Sequence, residues 1–312
     1  MHVYSLIAPA KINLHLEIIG DRPDGYHELV MIMQSIDLAD RLEIRANGTD
    51  LIRLYCSHPQ VPLDNTNLAY RAVELMQKQF PSRASNYGGL DITIEKNIPV
   101  AAGLAGGSTN AAAILVGINL IWELGLTQPE LHELGAMIGS DIPFCISGGT
   151  AIATGRGEKI EPLPDLDHLW VVLAKYSNLS ISTGWAYNTY RQQYADSYIS
   201  DRQGIQTRTH QVHSGDLVQA ITNKDNLKIG KLLYNDLEKI VLPEFPPVAE
   251  LIATLKEVGN LGTMMSGSGP TVFCLSETQK QAEEIKEKVK LKINDPNLKL
   301  WLAKMCPNGI HY

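Results

Sequence analysis

Pro99-Val100-Ala101-Ala102-Gly103-Leu104-Ala105-Gly106-Gly107-Ser108-Thr109 is the stretch that decides how this 312-residue sequence is read. Gly103, Gly106 and Gly107 permit positive φ and let backbone come close to a ligand. Ser108, Thr109 and Asn110 follow, and then comes the apolar run Ala111–Leu124. That run is too short to cross a membrane, so it is expected to be a buried core helix. Glycines, hydroxyls and a helix N-terminus in that order form an anion site, because N–H groups converge there and the helix dipole favours negative charge. The hydroxyls of Ser108 and Thr109 could bond a phosphate, and Ser108 could hold Mg2+. Alternatively, the glycines only let a buried helix pack tightly. No GK[ST] follows and the spacing is not GxGxxG, so neither a P-loop nor a dinucleotide fold is expected.

Around this loop the composition is that of an ordinary globular protein. Hydrophobic residues make up 44% and charged residues 20%. A net charge of −7 argues against a general nucleic-acid binder. Cys56, Cys145, Cys274 and Cys306 form no CxxC pair and sit beside apolar residues. They are expected to be buried free thiols in a reducing, cytoplasmic setting. No apolar run reaches about 18 residues, so no membrane span is expected. Met1–Leu6 lacks the basic and apolar regions of a signal peptide and reads as the start of the first strand.

The first hundred residues read mostly as strands. Ile12, Leu14, Leu16 and Ile18 alternate with Asn13, His15 and Glu17, which predicts a half-buried strand. Asp21–Gly25 is a turn; Leu29–Ile36, Arg41–Arg45 and Leu90–Glu95 read as strands, and Asn67–Gln79 as a helix. Pro129 opens a helix. Thr150–Thr154 and Lys159–Ile160 are short strands around Gly155-Arg156-Gly157, and Pro162-Leu163-Pro164 is the linker candidate. Beyond it come strand Leu169–Leu173, helix Val248–Val258, strands Thr263–Met265 and Thr271–Leu275, helix Gln279–Lys288 and strand Leu298–Ala303. Polar Gln192–Gly215 shows little periodicity and is expected to be an exposed insertion or loop.

Two more segments share the chemistry of the glycine loop. Ala8-Pro9-Ala10-Lys11-Ile12-Asn13 puts a lysine and an asparagine on one face of a strand, and Ser266-Gly267-Ser268-Gly269-Pro270-Thr271 is a second glycine-rich turn. Taken singly, a strand lysine is solvated and SGSGPT is a hairpin loop. Together and in this order they resemble the three motifs of the GHMP kinases. Asp24–Leu29 (DGYHEL) and Gly139–Phe144 (GSDIPF) narrow the resemblance to the branch that acts on a cytidine diphosphate-linked polyol.

The resemblance implies an α+β fold of two domains, 1–163 and 164–312. The first would be like domain 2 of ribosomal protein S5, the second ferredoxin-like, with the site in the cleft between them. It implies ATP-dependent phosphorylation of the 2-hydroxyl of a cytidine diphosphate-linked methylerythritol, in non-mevalonate isoprenoid synthesis. Asp141 becomes the base candidate, although an aspartate before Ile142-Pro143 is ordinarily a turn or helix-cap residue. Lys11 becomes its partner, and Asn13 would bond polyol hydroxyls. Tyr26 and His27 would form one side of a cytidine pocket, with Thr183 and Tyr187 on the other. Trp185 rivals Tyr187 for stacking. Lys96 and Asn67 fall where the family contacts the adenine end of ATP, and Gly267, Ser268 and Gly269 would approach the substrate. The implied cofactors are ATP and Mg2+, and the implied assembly is a monomer or weak homodimer without nucleic acid or membrane. Rival readings are a homoserine or mevalonate type of kinase, an inactive ligand sensor on the same fold, and an interaction protein whose glycines only turn corners.

Overall fold

The computed structural model describes residues 3–259 and 261–312, so Met1 and His2 of the expected first strand lie outside it. The chain starts with a long hairpin. Strand β1 (Val3–Asp21) runs antiparallel to β2 (His27–Ala46), joined by the Arg22–Tyr26 turn. Register shifts at Pro9/Ala10, Asn13/His15 and Ile18/Gly20 mark bulges, which bend and twist a ribbon of this length. The two expected strands Leu29–Ile36 and Arg41–Arg45 are therefore one. Asp40 interrupts the hydrophobic pattern but is fully buried within the strand.

β2 serves two neighbours. Its second half, Arg41–Ala46, pairs with β4 (Leu90–Glu95), which carries the short parallel β3 (Arg53–Cys56). Its first half, Leu29–Gln34, pairs with β5 (Thr150–Gly155), which turns back into β6 (Lys159–Leu163). Pro162 and Leu163 of the expected linker are thus the last residues of β6.

The second half of the chain begins with β7 (Trp170–Tyr176). After several helices, the two-residue β8 (Tyr234–Asn235) adds to the far edge of β1. Then follow β9 (Gly262–Met265), β10 (Val272–Ser276), helix Gln279–Lys292 and β11 (Leu298–Lys304). The described residues form a seven-stranded sheet, with the path β3-β4-β2-β1-β8, and a four-stranded antiparallel sheet in the order β11-β7-β10-β9. Strand and helix order in that second sheet is ferredoxin-like, as expected.

The alternation expected of β1 holds at His15 and Glu17, which are half-buried between buried Leu14, Leu16 and Ile18, but not at Asn13. Asn13 is as buried as Ile12 and Leu14, because the second half of the chain covers the face that the first half leaves open. Gln192–Gly215 is largely exposed, as expected, but it is mostly helical and not a loop. Thr183–Tyr194 and Arg202–His213 are helices. Asp201 caps the second one, Arg208 pairs with Glu17 of β1 at 2.8 Å, and the Ile199 N–H donates to the Ile19 carbonyl. Cys145 and Cys274 are buried, whereas Cys56 and Cys306 are half-buried; all four are free.

Helix Gly106–Ile121 is apolar almost all round, as a central helix must be. It packs on β1, β2 and helix Leu68–Gln79, with Trp122 sealed at its end. Gly117 is where it meets the sheet: a Cβ there would fall 1.9 Å from Ile44 Cδ1 and 2.8 Å from Leu6 Cδ1. Gly117→Ala is therefore expected to cost about 1–3 kcal/mol from overpacking, measured as a lower denaturant midpoint with an unchanged slope.

Candidate functional site

The glycine loop and the Ser266–Thr271 turn touch backbone to backbone. A Cβ at Gly103 would lie 2.2 Å from the Ser266 carbonyl oxygen, and the Ser266 hydroxyl donates to the Gly103 carbonyl at 3.1 Å. Only glycine permits that approach, and Gly103 also has φ 74°. Ala101 and Ala105 have φ 50° and 57°, so every second residue from 101 to 105 is left-handed. Such alternation turns successive N–H groups inward. Strained alanines at these positions are the kind of backbone cost that binding sites retain. Ala105 provides no side-chain cap to helix Gly106–Ile121, so the helix opens directly onto the cavity.

That cavity has a volume of about 660 Å³ and is lined from both halves of the chain. Its lining includes Asn67, Lys96 and the Pro99–Ser108 loop, the group Tyr26, His27, Thr183 and Tyr187, and Lys11, Asp141, Gly267 and Ser268. Lys11 Nζ is 3.8 Å from Asp141 Oδ2 and donates to Asn13 Oδ1 at 2.7 Å. The Lys11 side chain is only 6% exposed against 31% for Asp141. Asp141 stands at the N-terminus of helix Ile142–Ser147, yet its carboxylate caps nothing. It faces the cavity with free acceptor capacity, unlike an ordinary turn aspartate.

The aromatic group is built from two separated segments. The His27 ring lies 5.2 Å from the Tyr187 ring and meets Tyr198 edge-on at 5.9 Å. His27 Nε2 is buried without a protein partner. Burial, helped by the nearby Arg191 cation, pushes its pKa down to about 4, so the imidazole is neutral near pH 7. Burial first, then Asp141 and Asp236, pushes the Tyr187 hydroxyl well above its usual range. Trp185 instead packs edge-on against Phe245 in the core, which removes it as a rival for stacking. Thr183 Oγ1 and Ser268 Oγ are 2.9 Å apart and tie the two substrate-side turns together.

Other expected residues have narrower roles in the geometry. Lys96 is buried and donates to Asp40 Oδ2 at 2.6 Å and to the Ile98 carbonyl at 2.8 Å. Asn67 caps helix Leu68–Gln79 through the Ala69 N–H and donates to the Pro62 carbonyl. Both line the cavity with side chains already engaged. Thr109 is fully buried against the core and lies outside the cavity lining, so the loop offers the Ser108 hydroxyl there. Gly269, with φ 75°, sits against Met265 and shapes the turn from behind.

Several contributors carry no local signal in the sequence. Asp40 accepts from Lys96, Asn110 and the N–H groups of Asn97 and Ile98, which fixes the approach to the glycine loop. Asn235 donates to the Met265 and Gly267 carbonyls and so holds the third motif. Arg191 donates to Asp21 Oδ1 and to the Gly25 carbonyl, clasping the Tyr26 turn to the helix that carries Tyr187. Arg156 places its guanidinium 4.9 Å from the Tyr26 ring centroid.

Comparison with known proteins now separates the family from its neighbours. Residues 67–149 match the model "GHMP kinases N terminal domain" and 217–295 match "GHMP kinases C terminal". A 4-diphosphocytidyl-2-C-methyl-D-erythritol kinase of Gloeothece citriformis is 66% identical over 99% of this chain and 98% of that protein. The chain belongs to the 4-diphosphocytidyl-2-C-methyl-D-erythritol kinase family. Another member, from Microcystis aeruginosa, is 60% identical over 99% of each chain. A crystal structure of a 4-(cytidine 5'-diphospho)-2C-methyl-D-erythritol kinase is 28% identical, with a TM-score of 0.73 over 97% of this chain and 99% of that one. A homoserine kinase from Cytophaga hutchinsonii superposes with a TM-score of 0.76 over 100% of this chain and 97% of that one at 18% identity, a likeness of fold alone.

The neutral, unpartnered His27 makes the pocket sensitive to acid. Its folded pKa lies below the ordinary 6.5, so folding favours the unprotonated form. That stabilisation is complete above about pH 6.5 and is lost as pH falls towards 4. Urea midpoints at several pH values should therefore fall less steeply across this window in His27→Gln than in the wild type.

Proposed function

We propose that this chain transfers the γ-phosphoryl group of ATP to the 2-hydroxyl of 4-diphosphocytidyl-2-C-methyl-D-erythritol. The observation that carries the proposal is the content of a single cavity. It has a helix N-terminus reached through a glycine-rich loop, a buried lysine beside an aspartate that caps nothing, and an aromatic pocket with a neutral histidine. A homoserine or mevalonate kinase has no use for that aromatic pocket.

Catalysis of phosphoryl transfer is mostly positioning and charge stabilisation. The loop from Pro99 to Ser108 holds the ATP phosphates through backbone N–H groups. Asp141 accepts the proton of the 2-hydroxyl as its oxygen attacks the γ-phosphorus, and ADP departs. The Lys11 ammonium, held by Asn13, lies beside the reacting oxygens and stabilises charge that develops there. Asn13 also fixes the polyol indirectly through Lys11. Tyr26 and Tyr187 supply ring faces for cytosine, and His27 offers Nε2 to the edge of the base. Thr183, Gly267 and Ser268 line the same cavity. Lys96 and Asn67 shape the adenine end from behind.

Magnesium fits this arrangement as a partner of the nucleotide. The described residues contain no cluster of three or more His, Cys, Asp or Glu side chains that could cage it. The Ser108 hydroxyl, at the mouth of the helix, is the protein ligand we assign, with phosphates and water completing the shell. Bound there, the ion neutralises phosphate charge. We assign residues 1–163 to the ATP-binding domain and 164–312 to the domain completing the substrate pocket. The enzyme is read as a cytoplasmic monomer or weak homodimer, and no helix among the described residues is long and apolar enough to cross a membrane.

Asp141→Asn tests the assignment of the base. Turnover should fall by about 10²–10⁴-fold, while ATP affinity, measured by calorimetry, stays near the wild-type value. Wild-type-like turnover by this variant removes Asp141 from the mechanism.

A further inference from the structure

The proposed substrate carries a diphosphate between its cytidine and its polyol, and that charge needs a partner. Among the described residues, the cations lining the cavity are Lys11, Lys96 and Arg156. Lys11 faces Asp141 and Lys96 is locked to Asp40. Arg156 has no carboxylate oxygen within 4.0 Å of its guanidinium. It donates through Nη2 to the Ala136 carbonyl and lies over the Tyr26 ring. These two contacts orient the guanidinium without neutralising it, and most of its five donors stay available.

Its surroundings match two groups of the substrate. Arg156 sits in the Gly155–Gly157 turn, held by its own N–H donating to Glu158 Oε2 at 2.8 Å. Gly157 lies against Ser140, the residue before Asp141: a Cβ built on it would be 3.7 Å from Ser140 Cβ. The turn that carries Arg156 thus packs against the segment of Asp141, while its guanidinium lies over Tyr26, and all three residues line the same cavity. A diphosphate joining a base stacked at Tyr26 to a hydroxyl placed at Asp141 would run through that cavity.

We infer that Arg156 binds the diphosphate of the cytidyl substrate, making this residue a determinant of specificity for a nucleoside diphosphate ester over a bare alcohol. Planar guanidinium donors suit phosphate oxygens, and the Tyr26 ring beneath holds the fork in place at little conformational cost. The inference rests on the cytidyl reading above.

Calorimetry of cytidine and CDP, with the ATP site filled by a non-hydrolysable ATP analogue, tests it. Wild-type enzyme should bind CDP more tightly than cytidine. Arg156→Gln should weaken CDP roughly tenfold or more and leave cytidine within about twofold, with Arg156→Lys recovering part of the loss through its retained charge. Unchanged CDP affinity in Arg156→Gln, or an equal loss for cytidine and CDP, overturns the inference, because the guanidinium then only shapes the Tyr26 wall. Wild-type enzyme that binds neither ligand overturns the cytidyl reading itself, and the inference with it.

Discussion

The cavity exists because two turns meet where only glycine can stand. Gly103 presses against the Ser266 carbonyl, and Gly267 lies near Asn13 and Lys11. This contact joins the first sheet to the ferredoxin-like half and sets the separation between the phosphate loop and the substrate wall. Each flanking device serves that junction. Asn235 holds the carbonyls of the third motif, the Thr183–Ser268 contact ties in the next helix, and β8 reaches across to pair with β1. A side chain at position 103 would separate the halves before it altered any chemistry.

Charge is distributed by depth. The deepest pair, Lys96 with Asp40, is structural: four donors converge on one fully buried carboxylate and fix the entry to the glycine loop. Buried pairs of this kind contribute little net stability but are costly to break. Lys11 and Asp141 form a looser pair at 3.8 Å, with the carboxylate partly open to the cavity. Arg156 forms no ion pair within hydrogen-bonding reach among the described residues and lies over the Tyr26 ring. The gradient runs from locked to available, and availability is what a substrate requires.

Most of the fold was legible in the sequence, and the failures share a cause. Helices Leu68–Gln79, Gly106–Ile121 and Gln128–Ile138 announce themselves by Asn67, by the glycine run and by Pro129. The gap expected between Ile36 and Arg41 contains Asp40, whose buried carboxylate is paired with Lys96 far along the chain. The helix Arg202–His213 looked like a loop because its partner, Glu17, is 191 residues away from Arg208. The motifs for phosphate, base and substrate were legible because each is local in sequence. Arg191, Asn235 and Arg156 were not, since their meaning lies wholly in what the fold brings beside them. Thr109 shows the reverse error: a hydroxyl read as a ligand from its place in a motif turns into the core.

One cavity is proposed to hold ATP at the glycine loop and a cytidyl substrate at the aromatic residues, with Asp141 serving both. Coupled ADP release tests this most directly, with 4-diphosphocytidyl-2-C-methyl-D-erythritol, homoserine and mevalonate offered in parallel. ADP release should depend on the cytidyl substrate and stay at background with the other two. Turnover supported by homoserine or mevalonate and absent with the cytidyl compound would contradict the proposal.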